Sequence, residues 1–104
     1  MTSEYALTTP LWRWSGPSAA SWYFVTITGE AGEALSATAL MHRLEGGKRP
    51  GWGSVKVAVS VGSSQWQTSA FPSKESGWIV PVKAAVRKAE GLAEGEPVAL
   101  ELRF

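Results

Sequence analysis

The sequence predicts a mainly β protein with two short helices, folded as one small closed β-barrel built from two pseudo-twofold-related halves, a single domain over residues 1–104. Three observations carry that expectation. Val55, Val57, Val59 and Val61 alternate with Ser54, Lys56, Ala58 and Ser60 ahead of the turn residues Gly62, Ser63 and Ser64, the pattern of a hairpin ribbon buried on one face. A half-unit also recurs: Trp22 opens an apolar stretch, then a helical pattern, a glycine-rich turn and a valine-rich strand. Trp78 opens a second such series, ending in a strand of valine and leucines. Finally, the strands are short, and closing them on one another removes the exposed edges that short antiparallel strands otherwise leave. A chain of this length buries roughly two thirds of its unfolded surface, enough for one core.

Taken in order, a first strand is expected near Ala6 to Trp14. "SWYFVTITG" (Ser21 to Gly29) is aromatic and β-branched, with Tyr23, Val25 and Ile27 on one face and Trp22, Phe24 and Thr26 on the other, and is read as buried on both. "GEAGEALSATALMHRL" switches to helical spacing. Its predicted apolar stripe is Ala34, Ala37, Met41 and Leu44, with Thr28 as N-cap and Glu30 and Glu33 favoured in the first turn by the helix dipole. "EGGKRPGWG" is turn chemistry, with four glycines and a proline. After the ribbon, Trp78, Ile79 and Val80 form a short strand. A helix then begins at Pro81, which has no N–H to lose there, presents Val82, Ala85, Val86 and Ala89 to the barrel, and stops at Gly91 with Leu92 folding back. The last strand points Val98, Leu100, Leu102 and Phe104 inward and Ala99, Glu101 and Arg103 outward.

Composition excludes more than it nominates. There are no cysteines, so disulfides, thiolate metal sites and cysteine nucleophiles are absent together, in keeping with a reducing cytoplasm. No run of about eighteen uncharged apolar residues occurs, and no signal-peptide pattern opens the chain, so a cytoplasmic protein away from the membrane is expected. The net charge of +1 lacks the strong basic excess of a dedicated nucleic-acid binder. Every carboxylate is one of nine Glu, because the chain has neither Asp nor Asn. One His42, no Asp and no Gly-x-Ser-x-Gly elbow give a Ser-His-acid triad nothing to stand on, and His42 is expected to interact with the end of its helix. Zinc wants three or four Cys, His or carboxylate ligands, whereas Glu30 with Glu33 and Glu94 with Glu96 read as first-turn and loop charges. No enzyme activity, metal or cofactor is expected.

Two groups of residues suit binding instead. Lys83 and Arg87 lie four apart on one helix face, and the hydroxyls of Thr68 and Ser69 would join them at a small anion if the second ribbon strand passes that helix. Lys48, Arg49 and Trp52 make the glycine-rich loop a basic and aromatic one, although its spacing is not that of a P-loop. Among the six tryptophans, Trp22, Trp66 and Trp78 are expected to pack, and Trp12, Trp14 and Trp52 to be the more exposed.

The segment "GWGSVKVAVSVGSSQWQTSAFPSKESGWIVPVKAAVRKAEGLAEGEPVALEL" resembles a bacterial family catalogued as domain of unknown function nineteen-oh-five. The likeness rests on the alternating valines, on Trp66, Thr68, Ser69, Phe71 and Pro72, and on Val80, Pro81, Lys83, Arg87, Lys88 and Ala89, with "WYFVTI" similar to the family's first strand. The resemblance implies a double-split β-barrel, related to the swapped-hairpin barrels of AbrB-type regulators and MazE-type antitoxins, but closed within one chain and monomeric. Glu96 in place of Asp, the following Pro97 and the lack of a basic N-terminal strand weigh against DNA binding more than against the fold. The family carries no activity to transfer. The function expected is a non-enzymatic small barrel that binds a small anionic ligand or a protein partner through Thr68, Ser69, Lys83 and Arg87. The alternative is an AbrB-like DNA- or RNA-binding regulator, and a third option is a structural domain that works only with a fused or bound partner.

Overall fold

A computed structural model describes residues 3–15, 21–44, 53–73 and 77–104. Its elements are β1 (Glu4–Ser15), β2 (Ser21–Ile27), α1 (Gly29–Leu44), β3 (Val55–Val61), β4 (Ser64–Pro72), β5 (Trp78–Pro81), α2 (Ala84–Glu90) and β6 (Pro97–Arg103). The six strands form a closed barrel in the order β1-β2-β5-β4-β3-β6, antiparallel at every pairing. Mainly β architecture with two helices and a closed barrel is therefore what the sequence led us to expect.

The internal duplication is visible in the pairing. The first half is β1-β2-α1-β3 and the second is β4-β5-α2-β6; β2 pairs with its counterpart β5, and β3 with its counterpart β6. The remaining counterparts, β1 and β4, each change partners along their length. β1 pairs with β6 over residues 4–10 and with β2 over residues 11–15, while β4 pairs with β3 over residues 64–70 and with β5 over residues 71–72. Prolines stand where this happens. Pro10 lies opposite Pro97, so neither strand offers an N–H there, and the β1–β6 ladder ends. Leu11 then accepts from the Gly95 N–H at 2.7 Å and donates to the Glu96 carbonyl at 3.0 Å, tying the loop before β6 to the start of the new pairing.

The core fills the barrel from alternate strand positions. Val55, Val57, Val59 and Val61 are all buried, as are Val98, Leu100 and Leu102, in agreement with the alternation read from both strands. Val61 and Ser64 close the ribbon across a two-residue turn at Gly62 and Ser63. The first helix is rotated from its expected setting. Ala31, Gly32 and Leu35 are buried against the barrel, whereas Met41 and Leu44 are exposed. Apolar residues occur on more than one face of α1, so the period alone did not select the stripe that packs. The second helix starts later than expected, because Pro81 ends β5 opposite Phe24 instead of opening the helix. With only seven residues, α2 buries Val86 alone, joined by Val82 just before it, while Ala85 and Ala89 are exposed. β2 is also not buried on both faces. Its outward face is open at Trp22, which is 55% exposed. Trp66 and Trp78 pack as expected, and Trp78 donates its indole N–H to Ser36 Oγ of α1 at 3.0 Å. No helix of the described residues is long and apolar enough to cross a membrane.

Two glycines with similar backbones separate conformational strain from steric exclusion. Gly91 ends α2 in the left-handed region (φ 63°, ψ 38°) with open space where a side chain would go. Gly77 has φ 52°, and a Cβ there would run into the Ile27 carbonyl oxygen, because the two halves touch backbone to backbone. Gly91→Ala is expected to cost about 1–2 kcal/mol for the left-handed conformation alone. Gly77→Ala is expected to cost clearly more, as the steric term adds to the same strain; urea unfolding of the two variants beside the parent measures the difference.

Candidate functional site

The residues around α2 build one cleft of about 620 Å³ between the start of β2, the middle of β4 and the end of β5. Its origin is the brevity of α2. On the other half the sixteen-residue α1 is held by Trp78, which is buried; at the corresponding place beside α2 the barrel presents Tyr23, which is only partly buried. Val82 anchors the segment between β5 and α2 by donating its N–H to the Tyr23 carbonyl at 2.8 Å. Arg87 then reaches back over the same residue. Its guanidinium carbon lies 3.8 Å from the Tyr23 ring centroid, and its Nε donates to the Val82 carbonyl at 3.2 Å. That pair of contacts holds α2 against β2 and fixes the guanidinium at the cleft.

Thr68, Lys83 and Arg87 line this cleft together, with Tyr23 and Trp66 among the aromatic walls. No carboxylate is among its lining residues, and neither Lys83 nor Arg87 has an ion-pair partner among the described residues. The one ion pair between described residues joins Arg13 and Glu94 at 3.8 Å, at the surface, where such a pair contributes little. Ser69 is not brought to the cleft. The β3–β4 register runs without interruption from Val55 opposite Ala70 to Val61 opposite Ser64, so adjacent residues of β4 alternate faces. Thr68 shares the face of Trp66 and Ala70, both buried, while Ser69 lies opposite Lys56 and lines with it an adjoining groove, to which Thr68 also contributes. Lys48, Arg49 and Trp52 lie outside the described residues. His42 is exposed in the last turn of α1, and no group of three metal-ligating side chains occurs among the described residues.

Next to the cleft lies an aromatic surface that the order of the sequence conceals. Trp12 pairs across strands with Phe24 and Trp14 with Trp22, so these four side chains share the outward face of β1 and β2. With Ile79 they line a shallow groove of about 330 Å³. Trp12 is fixed there by an N–H bond to Thr26 Oγ1 at 2.9 Å and by its ring contact with Phe24, whose centroid is 5.0 Å away. Trp14 is 49% exposed and, with Trp22, is open to solvent. A spacing of two in both segments, Trp12-x-Trp14 and Trp22-x-Phe24, is the signal that places such residues on one face of neighbouring strands.

A family model described as Domain of unknown function (DUF1905) matches residues 8–102. No curated protein and no solved structure matches the chain.

The geometry gives the two cations different structural weight. Arg87→Met removes the stack on Tyr23 and the bond to Val82, and is expected to lower the unfolding free energy by about 1–2 kcal/mol. Lys83→Met, at an exposed position, is expected to change it by about 0.5 kcal/mol or less. Chemical denaturation of both variants checks the contrast.

Proposed function

The chain belongs to the DUF1905 family, and on that premise we propose that it is a non-enzymatic, monomeric β-barrel module that binds a small anionic ligand in the cleft beside α2. The observation that carries this reading is the convergence of Lys83, Arg87 and Thr68 on a cleft whose lining holds no carboxylate. Lys83 is the N-cap of α2 with an extended backbone, not a residue of the expected helix face, yet it and Arg87 bring two positive charges to the same cleft, and both attract an anion there. The apolar walls strengthen the attraction by lowering the local dielectric.

Arg87 supports the reading in a second way. Stacked on Tyr23 and bonded through Nε to Val82, the guanidinium is held in place before any ligand arrives, so little side-chain freedom is lost on binding. Its Nη1 and Nη2 donate to no described residue, which suits a carboxylate, phosphate or sulfate oxygen. Lys83 adds charge without geometric demand, and Thr68 adds a neutral hydroxyl donor on the opposite wall.

Isothermal titration with phosphate, sulfate and acetate tests this. Binding that weakens as salt rises, and that weakens about tenfold in Lys83→Met through loss of one charge-assisted contact, is the expected outcome. No heat with any anion, or binding unchanged in Lys83→Met, overturns it; salt-sensitive retention on duplex DNA in its place would favour a nucleic-acid regulator.

A further inference from the structure

The cationic cleft and the aromatic groove are one surface, because Trp22 lines both. From this continuity we infer that the ligand is a nucleoside phosphate, its phosphate held by Lys83 and Arg87 and its base stacked on the tryptophans of β1 and β2. The inference rests on the anion-binding reading of the same cleft and extends it to the other end of the ligand.

Three features select this ligand chemistry. The platform is aromatic over a run of adjacent residues, with Trp12, Phe24, Trp22 and Trp14 on one strand face, and a flat π-system is the shape such a face accepts. Its inner members are locked, Trp12 by Thr26 and Phe24, whereas Trp14 and Trp22 are open and make no ring contact with each other or with any other described residue. Their faces are therefore free to stack on something else. The charge is also limited to one end. Lys83 and Arg87 are the cations lining the cleft, and no charged side chain lines the aromatic groove, so the surface presents one anionic terminus and one apolar flat body. A bare anion leaves the tryptophans unused, and an uncharged aromatic leaves the cations unpaired.

The same chemistry is offered by a free nucleotide and by the phosphorylated end of a single strand. With two cations among the described residues that line the cleft and none lining the aromatic groove, the surface addresses one phosphate group.

Titrations of the full chain with adenosine monophosphate, ribose phosphate, adenosine and a short single-stranded oligoadenylate separate these cases. Adenosine monophosphate is expected to bind about tenfold more tightly than ribose phosphate, the gain of one stacked base, and to quench tryptophan fluorescence where ribose phosphate does not. In Trp22→Ala, and in Trp14→Ala should the first variant be poorly folded, the two ligands should bind alike. Adenosine should bind weakly, and Lys83→Met should remove most of the advantage of adenosine monophosphate over it. An oligoadenylate that binds ahead of the mononucleotide, with the same dependence on Trp22 and Lys83, identifies the source as a strand end; the reverse order identifies a free nucleotide. Equal affinity for adenosine monophosphate and ribose phosphate overturns this inference while leaving the anion site standing. Failure of both to bind overturns the two together, and adenosine binding as tightly as its monophosphate overturns the link between base and phosphate.

Discussion

Six short strands laid side by side would leave two open edges, and the absence of any such edge is the constraint on which the rest of this protein depends. Closure is achieved by β1 and β4, which serve two neighbours each by changing partners along their length, β1 near its middle and β4 near its end. Because they are counterparts in the two halves, the duplication and the closure are the same fact seen twice. A strand that kept one partner throughout would leave β2 or β5 unpaired on one side, with backbone donors and acceptors exposed to any passing chain. Pro10 and Pro97 help set the changeover by leaving the ladder without donors where it must stop.

The candidate site follows from an inequality between the otherwise equivalent halves. Trp78 is buried beside the long helix, where the cleft is only about 280 Å³, and the smaller, partly buried Tyr23 stands beside the short one, where it is about 620 Å³. The larger cleft thus opens in the half whose helix is short. Arg87 belongs to both accounts. Its stack on Tyr23 is a tertiary contact that docks α2, and the same residue lines the cleft that Thr68 and Lys83 also border.

Much of this was legible in the sequence where periodicity was strict. The valines of β3 and the valine and leucines of β6 alternate without exception, and the buried face follows from that alone. Gly91 was legible because a left-handed residue after an apolar helix has few other chemistries. The fold class came from the recurrence of a half-unit, and the pairing of β2 with β5 and β3 with β6 is its spatial form. The convergence of Thr68 with Lys83 and Arg87 was anticipated, but not the separation of Ser69, since the pleat sends neighbours to opposite faces even when both carry hydroxyls. Residues on α1 were misplaced because its apolar side chains surround the helix. Trp22 was misplaced because an aromatic strand says nothing about whether another layer covers it. The stack of Arg87 on Tyr23 joins residues distant in sequence, and no local pattern announces it.

The ends of the described chain meet at one rim of the barrel. Ser3 and Phe104 exchange both of their backbone hydrogen bonds, at 2.8 and 3.1 Å, and the ring of Tyr5 stacks on that of Phe104. From there β1 and β6 run side by side in opposite directions, with their hydrogen bonds perpendicular to the strands. A force drawing the two ends apart would therefore fall on one pair of bonds at a time, opening the seam like a zip rather than shearing it as a block. The barrel's mechanical resistance along that line is that of single pairs met in turn, not of the whole seam at once.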